Sequence, residues 1–429
     1  MTRDEADGDG GWGHEGKTAL ANVLVKALSV PVEKACRIVL MVVAAPLLGA
    51  AAFGSYQFAL ATTTMLALFT DLGMGIWTTR ALARDRQRAA AIVGTALRIR
   101  FAAVLPYLAI VGLCAAIAGP GETRRALALL GLAALVNAFI DYFGAIFRGF
   151  ERLGDEARLN VLRALLIAAA GLGALRLGRS VSALAVGLLA GMLASAAYGL
   201  WVLHRRYRLG FGGGAFDRAL ARSAAAEAFP LWLAGLLSLL YFKGDVVILK
   251  AFAGNAEIGA YSAAYKIFEG LMILPAVLLA ATFPPLARAR NQPDKQRRWE
   301  AALVALLLTM GAVVGGVVYL GSGRIISLIY GAGFVRAVPS LRVLAVAVPI
   351  LFLNFGLTHF LIARDLERRN LVFAALMLIV NVAANLILIP RHRGPGAAAA
   401  TLITEISLTI CCLIALRRRP GDVPESPIQ

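Results

Sequence analysis

Long stretches without charged side chains dominate the chain and decide what it can fold into. Apolar stretches of about 20–28 residues recur along nearly all of its 429 residues, and at 1.5 Å per residue a helix of that length crosses about 30 Å of hydrocarbon. Hydrophobic residues make up 59% of the chain and charged residues 16%, against roughly 45–50% and 25% in soluble proteins. These values exclude a secreted enzyme, a disulfide scaffold, a coiled coil and a disordered chain, and they predict an all-α integral membrane protein.

We expect twelve transmembrane helices between two polar tails. The acidic, glycine-rich residues 1–17 have no basic segment or cleavage site of a signal peptide, so they are predicted to be a disordered cytoplasmic tail. Residues 418–429 are predicted to be a second, short cytoplasmic tail. The predicted spans are 19–46, 55–79, 89–118, 124–147, 158–177, 181–203, 226–252, 257–283, 300–320, 337–363, 370–389 and 395–416.

The arginine and lysine residues between these spans predict the orientation of the chain. With the N-terminal tail included, 25 cations fall on one side of the membrane and 8 on the other. Because Lys and Arg collect in cytoplasmic loops, both termini are predicted to be cytoplasmic. The net charge of +18 is thereby explained by topology, and we expect no nucleic-acid partner.

The sequence repeats itself once, which predicts two bundles of six helices related by a pseudo-twofold axis along the membrane normal. The N-terminal bundle is predicted over 18–210 and the C-terminal bundle over 226–417, joined by a cytoplasmic linker at 211–225 that begins with Phe211-Gly-Gly-Gly214. The matched segments are Gly49–Ala59 with Gly254–Ala264, Ala81–Arg84 with Pro285–Arg288, Glu151–Arg152 with Glu367–Arg368, and Gly178 with Gly394.

The sequence predicts no nucleotide or metal chemistry. Gly11–Thr18 matches the letters of the phosphate-binding pattern G-x-x-x-x-G-K-[ST], but this segment lies in the polar N-terminal tail with no predicted strand before it, and Gly171-Leu-Gly173 fails the dinucleotide pattern. The four histidines lie far apart without metal-ligand spacing, and no predicted loop could hold a soluble catalytic domain. We therefore predict no enzyme, no catalytic residues, no cofactor and no metal.

Ionisable residues inside three predicted spans define the candidate site. Such residues cost ~2.5–3.5 kcal/mol at the bilayer centre, and they usually face a bundle interior or a wet cavity. Helical periodicity and depth bring spans one, seven and eight to one layer in the outer half of the membrane. The predicted substrate-binding cations are Lys26, Lys34, Arg37, Lys243, Lys250 and Lys266, and the predicted ion-coupling or gating acids of this layer are Glu33, Asp245 and Glu269.

The alternative for each of these residues is an internal salt bridge, for example Lys266 with Glu269. Six cations against three carboxylates nevertheless leave positive charge unmatched, and an unpaired buried cation favours an anionic ligand that bears phosphate or carboxylate. Asp71 and Asp141, nearer the cytoplasmic side, are interpreted as members of gate pairs or as topology anchors.

Three segments resemble Wzx-type polysaccharide flippases of the multidrug/oligosaccharidyl-lipid/polysaccharide (MOP) exporter superfamily. The first is Leu47–Tyr56, followed by Asp71-Leu-Gly-Met-Gly75 and a basic cluster. The others are Gly244–Leu249 with Ile258–Lys266, and Asn385–Pro390 with Gly394–Thr401. Lipid II flippases generally carry two further helices after the twelfth, so the Wzx type is the expected one.

The resemblance implies a MATE-like fold with a central cavity that opens alternately to each side of the bacterial inner membrane. It further implies export of an undecaprenyl-diphosphate-linked oligosaccharide, such as an O-antigen repeat unit, with ion gradients as the energy source. The expected partners are this substrate, membrane lipids, and a polysaccharide polymerase with its chain-length regulator. The alternatives are a multidrug cation/proton antiporter of the same superfamily, and a membrane-embedded enzyme or scaffold of a glycan assembly complex.

Overall fold

The computed structural model describes residues 14–209, 217–288, 292–364 and 366–417, and they fold almost entirely into helices. The first half contains α1 His14–Asp71, α2 Met74–Arg84, α3 Ala89–Ile117, α4 Glu122–Gly149, α5 Leu153–Gly178 and α6 Val181–Tyr207. The second half contains α7 Arg218–Phe252, α8 Asn255–Leu271, α9 Ile273–Arg288, α10 Pro293–Tyr330, α11 Ala337–Ala363 and α12 Glu367–Arg417. The predicted all-α membrane architecture is confirmed.

Ten helical stretches in the described residues are long and apolar enough to cross a membrane. Two of the helices, α1 and α12, are each interrupted by one residue with non-helical backbone angles. Gly49 breaks α1 at φ 73° and ψ 165°, and Arg393 breaks α12 at φ 52° and ψ −125°. Each of these helices covers two of the predicted spans, so the number of twelve crossings stays a prediction.

The chain folds back on itself at Arg393. The Asn381 side chain donates a hydrogen bond of 3.3 Å to the Thr404 hydroxyl, although 23 residues of straight helix would separate them by about 34 Å. A Cβ added to Gly396 would lie 2.4 Å from the carbonyl oxygen of Leu388. The two parts of α12 are therefore antiparallel, and they correspond to the predicted spans 370–389 and 395–416.

Aromatic and aliphatic side chains fill the helix interfaces of the N-terminal half. Phe143 and Phe147 are buried in a cluster that joins α2–α7, and Gly199 lets α6 approach α4 so closely that an added Cβ would lie 2.7 Å from the Phe143 ring. A second, larger cluster joins α1 to the helices of the C-terminal half. The same cluster contains buried residues of α4, α5 and α6, so α1 packs against helices of both halves.

The predicted domain limits differ from the helices at two places. Helix α1 begins at His14, inside the predicted tail, and α7 begins at Arg218, inside the predicted linker. The Asp217 carboxylate starts α7 because it accepts hydrogen bonds from the backbone amides of Ala219 and Leu220 at 2.9 and 3.0 Å. Residues 211–216 of the linker, residues 1–13 and the tail 418–429 lie outside the described residues.

Candidate functional site

A cavity of about 740 Å³ lies between the two halves, with walls from α1, α2 and α4–α8. Side chains from both sides of the break at Gly49 line it, so the two parts of α1 fold around the same space. Seven of the predicted site residues are among its lining: Glu33, Arg37, Asp71, Asp141, Lys243, Lys266 and Glu269. The cavity thus brings together residues separated by more than two hundred positions in the chain.

Three cations gather around one carboxylate at one end of the cavity. The Lys266 ammonium forms an ion pair with Glu269 one helical turn further along α8. Lys243 on α7 lies near enough to both residues to interact with them electrostatically, and Arg37 on α1 is a further electrostatic neighbour of Glu269. Within the described part of the chain, Arg37 and Lys243 make no ion pair with a carboxylate.

Two uncharged residues that the charge analysis did not identify also face this end. The Gln57 amide nitrogen and the Ser262 hydroxyl are buried and line the cavity, and neither has a hydrogen-bond partner among the described residues. They occupy equivalent positions of the internal repeat, one residue after Tyr56 and Tyr261. The repeat was therefore the signal that could have found them.

The opposite end of the cavity carries ion pairs that are already formed. The Arg100 guanidinium is fully buried, pairs with Asp71, and donates to the Ala138 carbonyl at 2.7 Å. Arg163 pairs with Asp141 at 2.5 Å. The predicted acids Asp71 and Asp141 thus both line the cavity, and each forms an ion pair with an arginine.

Three predicted residues of the charged layer do not line this cavity, and the side chain of a fourth lies outside the described residues. Lys34 is exposed, whereas the Lys250 ammonium donates to the Asn255 side chain at 2.6 Å near the end of α7. The Asp245 carboxylate is buried elsewhere, and the side chain of Lys26 lies outside the described residues. The predicted excess of six cations over three acids becomes three over two at this end of the cavity: Arg37, Lys243 and Lys266 against Glu33 and Glu269.

Asp245 belongs to a second, much smaller cavity in the C-terminal half, which Glu405, Asn381 and Thr401 also line. Asp245 accepts hydrogen bonds from the Tyr261 hydroxyl and from its neighbour's backbone amide. Glu405 accepts from Asn354 at 2.7 Å and from Tyr241 at 3.2 Å.

Both carboxylates, Asp245 and Glu405, are buried, and within the described ranges neither forms an ion pair with Lys or Arg. Those ranges also contain no cluster of three histidine, cysteine or acidic side chains that could hold a metal ion. The oxygen and amide groups of this small cavity suit a proton or a hard cation better than a soft metal ion.

Residues 19–290 match the model of a family described as polysaccharide biosynthesis protein. The chain belongs to this family. The match covers α1 to α9 almost completely, and so it includes every wall of the larger cavity. The expected resemblance to a polysaccharide family is thereby confirmed.

Two similar proteins point in the same direction. The probable flippase AglR of Haloferax volcanii is 26% identical over 70% of this chain and 66% of its own length. The EPS I polysaccharide export inner membrane protein EpsE of Ralstonia nicotianae is 26% identical over 84% of each chain.

Solved structures show the same fold at low sequence identity. The lipid II flippase MurJ in an inward closed conformation superimposes with a TM-score of 0.71 at 14% identity, over 92% of this chain and 88% of that one. An inward-facing multidrug resistance MATE transporter of the MOP superfamily gives 0.66 at 16% identity, over 93% and 98%. The predicted MATE-like fold is confirmed. With ten helices long and apolar enough to cross a membrane among its described residues, this protein is a multi-pass membrane protein.

Proposed function

We propose that the family member described here moves a polyprenyl-diphosphate-linked oligosaccharide, such as an O-antigen or other polysaccharide repeat unit, across the membrane by alternating access. The observation that carries the proposal is the pair of cations, Arg37 and Lys243, that face the large cavity without a carboxylate partner among the described residues. A diphosphate supplies the missing negative charge.

The partial burial of the Lys243 side chain supports an anionic substrate. A cation held in a membrane protein without a counter-ion keeps a large desolvation cost, which a bound phosphate offsets through charge-assisted hydrogen bonds. Lys266 contributes a third cation, which forms an ion pair with Glu269. The orphan groups of Gln57 and Ser262 add hydrogen-bonding capacity beside these cations.

We propose that Asp245 and Glu405 couple transport to an ion gradient, while Glu269 holds Lys266 in the absence of substrate. The two buried carboxylates lie among hydroxyl and amide groups around one small cavity. A proton or a sodium ion that binds there removes an unpaired negative charge from a low-dielectric region, so its occupancy favours one packing of the C-terminal helices over another. A gradient of that ion then gives the cycle its direction.

The proposed location is the bacterial inner membrane, with both termini in the cytoplasm. The bias of 25 cations to 8 supports this orientation, and the similar protein EpsE is named an inner membrane protein. Besides lipids and the substrate, a polysaccharide polymerase and its chain-length regulator are proposed as partners. No cofactor, metal or nucleic acid enters the proposal.

Two alternatives remain distinguishable by chemistry. A multidrug cation exporter needs a cavity with excess negative charge. In this cavity, three cations face two acids at the end lined by Arg37, Lys243 and Lys266. A membrane-embedded enzyme or assembly scaffold would not move substrate when it is the only protein in a vesicle. The similar proteins are named flippase and export protein, which supports transport.

The decisive experiment reconstitutes the full chain as the sole protein of lipid vesicles. Fluorescent undecaprenyl-diphosphate-linked oligosaccharide is placed in the outer leaflet, and its loss to a membrane-impermeant quencher is followed with time. Protection of the probe that requires the protein supports the proposal, and an organic cation dye run in parallel tests the exporter alternative. Unchanged quenching of the glycan probe in vesicles with correctly folded protein would overturn it.

A further inference from the structure

The cavity has a second polar surface, formed where α4 and α5 face the lumen. Asn137 and Asp141 are one turn apart on α4, and Asn160 and Arg163 are three apart on α5, so each pair lies on one helix face. All four line the cavity. We call them the amide wall.

Hydrogen bonds hold the four side chains in fixed orientations. The Arg163 guanidinium donates to Asp141 at 2.5 Å, to Asn137 at 3.2 Å and to Asn160 at 3.1 Å. The Asn137 amide nitrogen donates to the other oxygen of Asp141 at 2.9 Å. Because every member is bonded to another, the wall keeps its shape without a ligand.

The wall still offers free donors and acceptors to the cavity. The amide nitrogen of Asn160 donates to no other described residue. The Asp141 side chain remains 57% exposed, and each of its carboxylate oxygens can accept more than the single bond it receives. A donor beside an acceptor matches a sugar hydroxyl, which both donates and accepts hydrogen bonds.

Charge distinguishes this wall from the other end of the cavity. Arg163 is neutralised by Asp141, and the neighbouring Arg100 and Arg148 are neutralised by Asp71 and Glu156. At the other end, Arg37 and Lys243 have no such partner among the described residues. An anionic group therefore gains most near Arg37, whereas the wall gains only from hydrogen bonds.

The spacing of the two surfaces fits a ligand with a charged and an uncharged part. Arg37 is an electrostatic neighbour of Tyr56 on the second part of α1, and Asp71 ends the same helix beside the wall. The 15 residues between Tyr56 and Asp71 correspond to about 22 Å of helix. One elongated molecule can contact both surfaces at once.

We infer that the amide wall is a subsite for an uncharged, polyhydroxylated sugar of the transported glycan, while the diphosphate occupies the cationic end. The inference rests on the proposed function and adds the chemical class of the sugar. A uronic acid or another acidic sugar is not favoured at the amide wall, because Arg163 is already paired with Asp141. Such a sugar would not replace any of the hydrogen bonds within the wall.

The test measures binding of three probes to the full chain in lipid nanodiscs. The probes are undecaprenyl diphosphate, the same lipid with a neutral trisaccharide, and the trisaccharide lipid ending in a uronic acid. The variants are Asn160→Ala and Asn137→Ala, and Gln87→Ala removes a matched amide from an exposed loop residue outside the cavity. Thermal melting of each variant reports folding.

The expected result is a Kd for the neutral trisaccharide lipid about tenfold higher in Asn160→Ala than in wild type, which is the loss of one hydrogen bond. The Kd for undecaprenyl diphosphate stays within twofold, and Gln87→Ala changes neither. Equal weakening for all three probes, no weakening in either Asn variant, or tighter wild-type binding of the uronic acid probe would overturn the subsite. If the wild-type protein binds neither of the two glycan lipids, the proposed function is overturned as well.

Discussion

Gly54 and Gly259, which occupy equivalent positions of the internal repeat, lie against each other where α1 crosses α8. A Cβ added to Gly54 would lie 1.8 Å from the Asn255 carbonyl oxygen, and one added to Gly259 would lie 1.9 Å from that of Ala50. Each added carbon would also come within about 3 Å of the other glycine's backbone nitrogen. The two halves of the protein therefore meet backbone to backbone at this crossing.

Gly54→Ala and Gly259→Ala are each expected to force this crossing apart. The added methyl group cannot be accommodated without a backbone shift, although alanine by itself favours a helix by about 0.5–1 kcal/mol over glycine. We expect loss of glycan export with a retained helical spectrum, measured as surface polysaccharide per unit of membrane protein. Gly270→Ala on α8, where an added Cβ meets nothing within 4 Å, is the matched control. Normal export by both crossing variants would contradict the close contact.

Arg37→Ala is expected to abolish glycan export, whereas Lys34→Ala, three residues earlier on the same helix, is expected to preserve it. Arg37 lines the cavity and Lys34 does not. Arg37 has no ion-pair partner among the described residues and is the proposed phosphate contact. Its loss is therefore expected to lower export more than tenfold. Export assays in a strain that lacks the chromosomal gene provide the measurement. Equal loss in both variants would argue for a general effect of positive charge in α1.

Asp245→Asn and Glu405→Gln are expected to separate transport from its ion gradient. Each change keeps the side-chain size but removes the negative charge that attracts a cation. In vesicles, flipping by wild type should accelerate under an imposed proton or sodium gradient, and flipping by the variants should not respond. Trials with each gradient alone identify the ion. Glu257→Gln, whose carboxylate bonds the Gly394 amide outside both cavities, should keep the response, and a full response in Asp245→Asn would exclude the coupling role.

Arg100→Ala is expected to destabilise the protein by ~3–5 kcal/mol, because it leaves the Asp71 carboxylate without its partner. Arg100 also packs over the Phe139 and Tyr142 rings at 5.2 and 4.8 Å. A lower melting temperature in detergent would show the effect. In the double variant Arg100→Ala with Asp71→Asn, part of the loss should be recovered because no uncompensated charge remains. Identical melting of single and double variants would mean that packing, and not charge, dominates at Arg100.

The repeat and the length of the apolar stretches predicted the architecture because both are visible along the linear sequence, without knowledge of which helices contact each other. Sequence alone did not show that α1 and α12 would each continue through two predicted spans. The interruptions at Gly49 and Arg393 occupy single residues, and their backbone angles depend on the helices packed around them. The number of crossings was for that reason less predictable than the fold.

The candidate site was predictable to the extent that helix geometry stays regular. Glu33 and Arg37 share one helix face and line the cavity, whereas Lys34 is rotated by about 100° from Glu33 and does not line it. Lys250 shares a face with Lys243 but lies about 10 Å further along α7, beyond the cavity and next to Asn255. Depth along a helix decides which side chains reach a cavity, and depth follows only from tertiary packing.

Gln57 and Ser262 make the lining of the cavity chemically asymmetric, although they occupy equivalent positions of the internal repeat. The two residues sit on symmetry-related helices, yet one presents a carboxamide and the other a single hydroxyl. A molecule bound between these two residues would meet a different hydrogen-bonding group at each end if its orientation were reversed. Because these two equivalent positions carry different side chains, the bound substrate can take one preferred orientation between two halves of similar architecture.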